Sequence, residues 1–166
     1  MAEIGLTRGH VALIDDADLP FVSGRSWYAQ YHPSKHRIFW YAVTRTGGQH
    51  IYMHRLLLGL KPGDPSVDHV DGNGLNNRRG NIRLATSTQN HANSNGKPHY
   101  RKSKWKGVDW KKDQHMKAGG RWRASIKVHG KQISRPARTE IEAALAYNQL
   151  AIEHFGSFAR LNAIDI

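Results

Sequence analysis

Over residues 1–60 the apolar positions come in short alternating runs broken by Gly, Pro and charged residues, the period-two signature of half-buried strands. Runs at 10–14, 27–31, 39–44 and 49–53 predict four strands, and Gly47-Gly48 between the last two predicts a hairpin turn. At 53–59, Met-His-Arg-Leu-Leu-Leu-Gly is a compact apolar block that predicts a short helix stopped before Pro62-Gly63. This region reads as scaffold. It carries no catalytic pattern, and His54, beside the leucine run, reads as a packed structural residue.

From 66 to 96 the chain changes character and becomes rich in Asn, Asp, Gly and Arg. Only two short apolar anchors remain, 67–70 and 82–85, each suited to a short strand. Between them, Asp71-Gly72-Asn73-Gly74-Leu75-Asn76-Asn77 is dense in residues that tolerate left-handed backbone or bond their own main chain, which predicts a tight irregular loop. Thr86-Ser87-Thr88-Gln89 has the form of a capping box, so a helix begins there with Asn90 in its first turns. Residues 97–103 read as a linker. Beyond it, 106–110, 121–128 and 131–135 predict three strands, the last two joined at His129-Gly130. Thr139-Glu140-Ile141-Glu142 is a second capping box, opening a helix with apolar positions at Ile141, Ala144, Leu145, Ile152 and Phe155 and a C-cap at Gly156. Packing one face of the three-stranded sheet on this helix would cover its apolar side.

A chain of 166 residues, 39% hydrophobic, suffices for one ordinary domain or two small ones. No run approaches the roughly 18 apolar residues of a membrane span, and the N-terminus lacks a signal-peptide pattern, so an intracellular protein is the default expectation. The absence of cysteine agrees, and it excludes thiolate zinc sites and catalytic thiols. Histidines four apart, His32 with His36 and His50 with His54, do not make a zinc site either. That spacing aligns ligands only on a helix, and Pro33 or a strand end interrupts each pair.

Net charge is +12, and its distribution says more than its total. Residues 97–138 hold fourteen Lys and Arg against two Asp and Glu, while the segments before them are nearly neutral. Tyr100, Trp105, Trp110 and Trp122 are set among these cations. An almost purely cationic aromatic segment points to nucleic acid rather than to a solvated face of mixed sign.

Asp68-His69, then Asn81, then Asn90 is the constellation that carries candidate chemistry. Phosphodiester hydrolysis needs a metal and a base to activate water, and a carboxylate, an amide oxygen and an imidazole supply both. Oxygen ligands suit magnesium or manganese better than zinc. These residues, in the stretches Val67-Asp68-His69-Val70-Asp71-Gly72-Asn73, Asn76-Asn77, Asn81-Ile82-Arg83-Leu84-Ala85-Thr86 and Gln89-Asn90-His91-Ala92-Asn93, resemble the HNH homing-endonuclease family over about thirty residues. The resemblance implies a ββα-metal fold at 61–96, with His69 as general base, Asp68 and Asn90 as ligands of one Mg2+ or Mn2+ ion, and Asn81 holding the loop. Asn90 stands where the family name has its last histidine, and His91 is adjacent. Arg83 is a candidate for holding a phosphate.

A second likeness runs through Ser103-Lys104-Trp105-Lys106-Gly107-Val108-Asp109-Trp110, Gly120-Arg121-Trp122-Arg123-Ala124-Ser125-Ile126, Ala143-Ala144-Leu145-Ala146-Tyr147-Asn148 and Phe155-Gly156-Ser157-Phe158-Ala159. It is similar to DNA-binding domains of the Apetala or ethylene-response-factor type, which implies a three-stranded sheet laid in the major groove. Strand alternation puts Arg121, Arg123 and Ser125 on one face and Trp122, Ala124 and Ile126 on the other. Arg121, Arg123 and Lys127 are the first candidates for DNA contact, with Lys106, Trp110 and Lys111 behind them. Trp122 either joins them or lies under the sheet.

The expected architecture is α+β: a β-rich scaffold (1–60) with the ββα-metal motif (61–96), a linker (97–103), and a three-stranded antiparallel sheet on one helix (104–166). The expected activity is metal-dependent hydrolysis of double-stranded DNA, with no membrane and no obligatory protein partner. The pairing resembles phage-encoded homing endonucleases, which implies action in the cytoplasm of a bacterial host. A DNA-binding regulator that does not cleave, and a protein acting on RNA, are the rival readings.

Overall fold

A computed structural model describes residues 1–34, 37–94, 103–112 and 119–164 of the chain. The chain divides into two compact units, Met1–Thr86 and Ser87–Ile166. The architecture is α+β, built from small antiparallel sheets and four α-helices among the described residues. None of these helices is long and apolar enough to cross a membrane.

In the first unit, β1 (Ala2–Gly5) pairs antiparallel with β2 (Val11–Ile14), and a single turn, α1 (Leu19–Val22), follows. β3 (Tyr28–Ser34), β4 (Arg37–Thr46) and β5 (Gln49–Tyr52) form a three-stranded sheet, with Gly47-Gly48 in the β4–β5 turn. α2 (Met53–Leu57) leaves that sheet, and β6 (Ser66–His69) then pairs with β7 (Ile82–Ala85). The expected strands are present, with β3 and β4 longer than the alternation alone predicts. The alternation does not predict β1, because four residues after the start methionine are too short a pattern to stand out.

Ala12, Ile14, Val22, Trp27, Ala42, Met53, Leu57 and Ile82 make one continuous core, so the N-terminal strands and the β6–β7 hairpin share their buried surface. At about 25 cal/mol for each Å² of apolar surface removed from water, that common core holds the hairpin against its scaffold. In this unit Gly74 marks the tightest approach. A Cβ there would overlap the Trp40 carbonyl and the Tyr41 ring, so the loop after β6 can lie on β4 only with glycine at this position.

The second unit contains α3 (Ser87–Asn93), β8 (Val108–Lys112), β9 (Gly120–Val128), β10 (Lys131–Ala137) and α4 (Glu140–Phe155), with the sheet in the order β10-β9-β8. The linker expected at 97–103 lies, apart from Ser103, outside the described residues. Thr139 caps α4, its side chain accepting from the Glu142 amide, and Gly156 closes the helix.

The face α4 turns to the sheet is not the expected one. Ala143, Ala144, Tyr147, Leu150 and Ala151 are buried against Val108, Ala124 and Ile126, whereas Ile141, Leu145 and Ile152 are exposed. Alanines win because the helix and sheet lie close: a Cβ on Gly107 would already overlap the Tyr147 ring. Asn162 ties the C-terminal segment back in place. Its side chain accepts from the Lys106 amide (2.8 Å), and its backbone exchanges two hydrogen bonds with the Asn148 side chain.

Candidate active site

β6 ends in Asp68 and His69, paired across the ladder with Arg83 and Ile82 respectively. Adjacent strand residues point to opposite faces, yet both are buried, with 7% and 6% of their surface exposed. Two different environments result.

Asp68 meets Arg83. The guanidinium donates to Asp68 Oδ2 from Nε (2.9 Å) and from a terminal nitrogen (2.8 Å). Arg83, expected on a phosphate, thus makes its ion pair within the protein, a partly buried contact between directly facing ladder residues.

His69 faces rings. Its imidazole lies 5.1 Å from that of His54, edge to face at 89°, and 6.0 Å from the Tyr41 ring, measured between centroids. Nε2 is 3.5 Å from Asn77 Oδ1. Asn77 is fully buried, and its amide nitrogen donates to the Leu75 carbonyl, which turns its oxygen toward the histidine. An oxygen can only accept, so this contact places the ring proton on Nε2 and the basic lone pair on Nδ1. Burial lowers the His69 pKa most, and the Asn77 contact with the Asp71 and Asp68 carboxylates offsets part of that; the net position is below the ordinary value. His69 is therefore neutral at pH 7, as a general base must be.

The loop between the strands is held from within. Asn81 Oδ1 accepts from the Asp71 amide (3.0 Å), while its Nδ2 donates to Asp71 Oδ1 (3.0 Å) and to the Asn76 carbonyl (2.7 Å). Asn81 so clasps both ends of the loop. Asp71 also accepts from the Asn73 amide and from Asn76. Burial raises the Asp71 pKa, but these bonds with Asn73, Asn76 and Asn81 outweigh it and hold the carboxyl below its usual range. Outside the loop, the Asn77 amide donates to the Leu13 carbonyl (2.7 Å), and Arg79 pairs with buried Asp18 (2.7 Å). The N-terminal hairpin and the turn before α1 thereby fix the loop, and with it Asn77 and His69.

Asn90 belongs to α3 in the second unit, where it is half-buried. Among the described residues no three His, Cys, Asp or Glu side chains gather as a metal cluster. The donor chemistry at β6 nevertheless fits a hard divalent ion, since Asp68 is a buried carboxylate beside a neutral imidazole and a cation there would share it with Arg83.

On the second unit's sheet, Lys111, Arg121, Arg123, Ser125 and Lys127 line the face turned away from α4. Arg121, Lys127 and Lys111 are exposed, and Arg123 pairs with Asp109 across the ladder (2.7 Å). Trp110 and Trp122 are cross-strand neighbours on the opposite face, ring to ring at 5.3 Å, and Trp122 packs on the core. Both tryptophans, candidates for DNA contact, are half-buried on that side. Lys106, a further candidate for DNA contact, is engaged within this unit. Its half-buried ammonium donates to the carbonyls of His91 and Ala92 at the end of α3, and burial with nearby Arg160 brings its pKa down to about 8.

Sequence reasoning missed Asn77, Tyr41 and the place of His54. Asn77 had a signal, standing next to Asn76 within the motif; nothing local marks Tyr41.

A family model for HNH endonucleases matches residues 50–92, the stretch that holds β5 to α3. An uncharacterized HNH endonuclease of Acanthamoeba polyphaga mimivirus is 31% identical over 169 aligned positions, covering 98% of this chain and 80% of that one. Protein 3.8 of Escherichia phage T7 is 32% identical over 112 residues, 68% of this chain and 88% of the phage protein. No solved structure matches the chain. The chain belongs to the HNH endonuclease family. It is a nuclease, and the family implies DNA as its substrate.

Proposed function

We propose that the protein hydrolyses phosphodiester bonds of double-stranded DNA in a metal-dependent reaction for which His69 is the general base. The observation that carries this reading is a buried, neutral imidazole whose Nε2 lies against Asn77 Oδ1; in that tautomer Nδ1 is the ring atom able to take a proton. Nδ1 takes a proton from water as the oxygen attacks phosphorus in line; the bond to the 3′ oxygen breaks, leaving a 5′-phosphate and a 3′-hydroxyl once that oxygen is protonated. Asp68 and Asn90 are the residues that would hold a divalent ion, magnesium or manganese, which when bound stabilises charge on the phosphate and on the leaving oxygen. Arg83 keeps the Asp68 carboxylate oriented, and Asn81 keeps the loop closed. These are the roles that a ββα-metal motif at 61–96 would assign.

Residues 104–166 serve as the DNA-holding module of Apetala type. What supports this is the antiparallel sheet on one helix with Arg121, Lys127 and Lys111 exposed on its outer face, Arg123 beside them. Tethering such a module raises the local concentration of DNA at a site that itself contacts few bases.

Cleavage of supercoiled plasmid with magnesium, manganese or excess chelator, wild type against His69→Ala, tests the reading. Relaxed or linear product that needs the ion and vanishes in the variant is expected. A wild type that retards DNA on a gel but leaves it uncut with either ion would instead establish a regulator that does not cleave.

A further inference from the structure

α2 begins with Met53 and His54, and His54 is more than nine-tenths buried. Its Nδ1 is the one buried side-chain nitrogen or oxygen among the described residues with no hydrogen-bond partner. Buried polar atoms are nearly always satisfied, and leaving one alone opposes folding. A position shaped only for stability would therefore carry Phe or Leu here. What the histidine touches suggests why it stays: its ring meets His69 edge to face at 5.1 Å, Tyr52 at 5.4 Å and Tyr41 at 5.7 Å.

His69 itself is the last residue of β6, paired with Ile82, and the ladder fixes its backbone but not its ring. Its Nε2 lies 3.5 Å from Asn77 Oδ1, and the rings of His54 and Tyr41 pack on it besides. Edge-to-face packing has a preferred geometry and removes rotamer freedom. Tyr41 lies on the same ring, and Gly74 lets the loop lie against Tyr41, so the cluster is closed by close-packed atoms.

We propose that His54 is a positioning residue for the nuclease reaction, a flat uncharged wedge whose packing fixes the orientation of the His69 ring. The proposal rests on His69 being the general base. A smaller or branched side chain lets the ring swing about its Cα–Cβ and Cβ–Cγ bonds, and a displacement of about 1 Å at a reacting atom slows a reaction by up to roughly a hundredfold. The flat ring matters, not its nitrogens, so phenylalanine should replace it. His54 holds no DNA, so binding is untouched.

The test uses the full chain with His54→Phe, His54→Leu and His69→Ala, measuring nicking of supercoiled plasmid with Mg2+ or Mn2+ against plasmid concentration. For His54→Leu, which fills the space without a flat ring, kcat is expected to fall roughly tenfold to a hundredfold with KM within about twofold of wild type. His54→Phe recovers most of that loss. In NMR spectra the ring Cε1–Hε1 signal of His69, single and sharp in wild type and in His54→Phe, broadens or splits in His54→Leu. A His54→Leu enzyme with wild-type kcat, an unaltered His69 ring signal in it, or a His54→Phe enzyme as slow as the leucine variant would overturn the inference. If His69→Ala cuts as well as wild type, the general-base reading falls and takes this inference with it. Loss of cutting in His69→Ala alongside a wild-type His54→Leu sinks the inference alone.

Discussion

Replacing His54 by phenylalanine should change how the protein's stability depends on pH. The wild-type imidazole is buried, and that burial, with His69 and Arg55 nearby, lowers its pKa from 6.5 to about 3. In the unfolded chain the same ring titrates near 6.5. Between these values the unfolded chain binds a proton that the folded chain refuses, so acid favours unfolding. The contribution is fully present above about pH 6.5 and is lost progressively as the pH falls toward 3. At about pH 4.5, two units below the unfolded value, the loss comes to about 2.7 kcal/mol at 1.36 kcal/mol per unit. A sizeable part of a typical folding free energy of about 5–15 kcal/mol is at stake.

Phenylalanine has no such proton to bind. Near pH 7.5 the variant should match or exceed the wild type, because it removes an unpartnered buried nitrogen. On moving to about pH 4.5 it should gain on the wild type by about 2.7 kcal/mol. Urea titrations at both pH values, followed through the NMR signal of the buried Met53 methyl group, would read this in the first unit. His69, whose pKa is lowered too, loses stability in the same direction in both proteins and largely cancels from the difference. A gap between the two proteins that is the same at both pH values would refute the reasoning, for it would mean that His54 takes up its proton without unfolding.

Removing the Asn81 side chain with Asn81→Ala deletes three hydrogen bonds inside a partly buried loop and leaves the Asp71 amide and Asn76 carbonyl without them. A destabilisation of about 2–3 kcal/mol by urea titration is expected, and less than about 0.5 would contradict the clasp. The pair Arg121→Ala with Lys127→Ala strips two exposed cations from the outer sheet face. If each meets one phosphate, the slope of log binding constant against log salt should become shallower by about two for duplex DNA. Binding by fluorescence anisotropy over a salt series checks this, and an unchanged slope would move the DNA off that face.

How much of this could be read from residues alone divides along a physical line. Alternation, glycine turns and capping boxes are local, and so β2 to β10 and the starts of α3 and α4 were legible as elements, to within a few residues. Asp68, His69, Asn81 and Asn90 stood out because their chemistry and order in the chain survive without a fold. The helix face of α4 was misjudged because large apolar residues advertise burial, while Ala143, Ala144 and Ala151 are chosen by how closely the sheet approaches, a distance absent from the sequence. For Trp122, alternation already separates it from Arg121 and Arg123, and the pairing register adds that Trp110 shares its face. His54, Tyr41 and Asn77 come from α2, β4 and the loop after β6, and nothing in their own neighbourhoods points to His69. The sequence alone determined which side chain is the candidate for the chemistry and that a cationic segment suits a polyanion. The tertiary structure decided what surrounds that side chain, because burial, tautomer and ring packing arise only where distant parts of the chain meet.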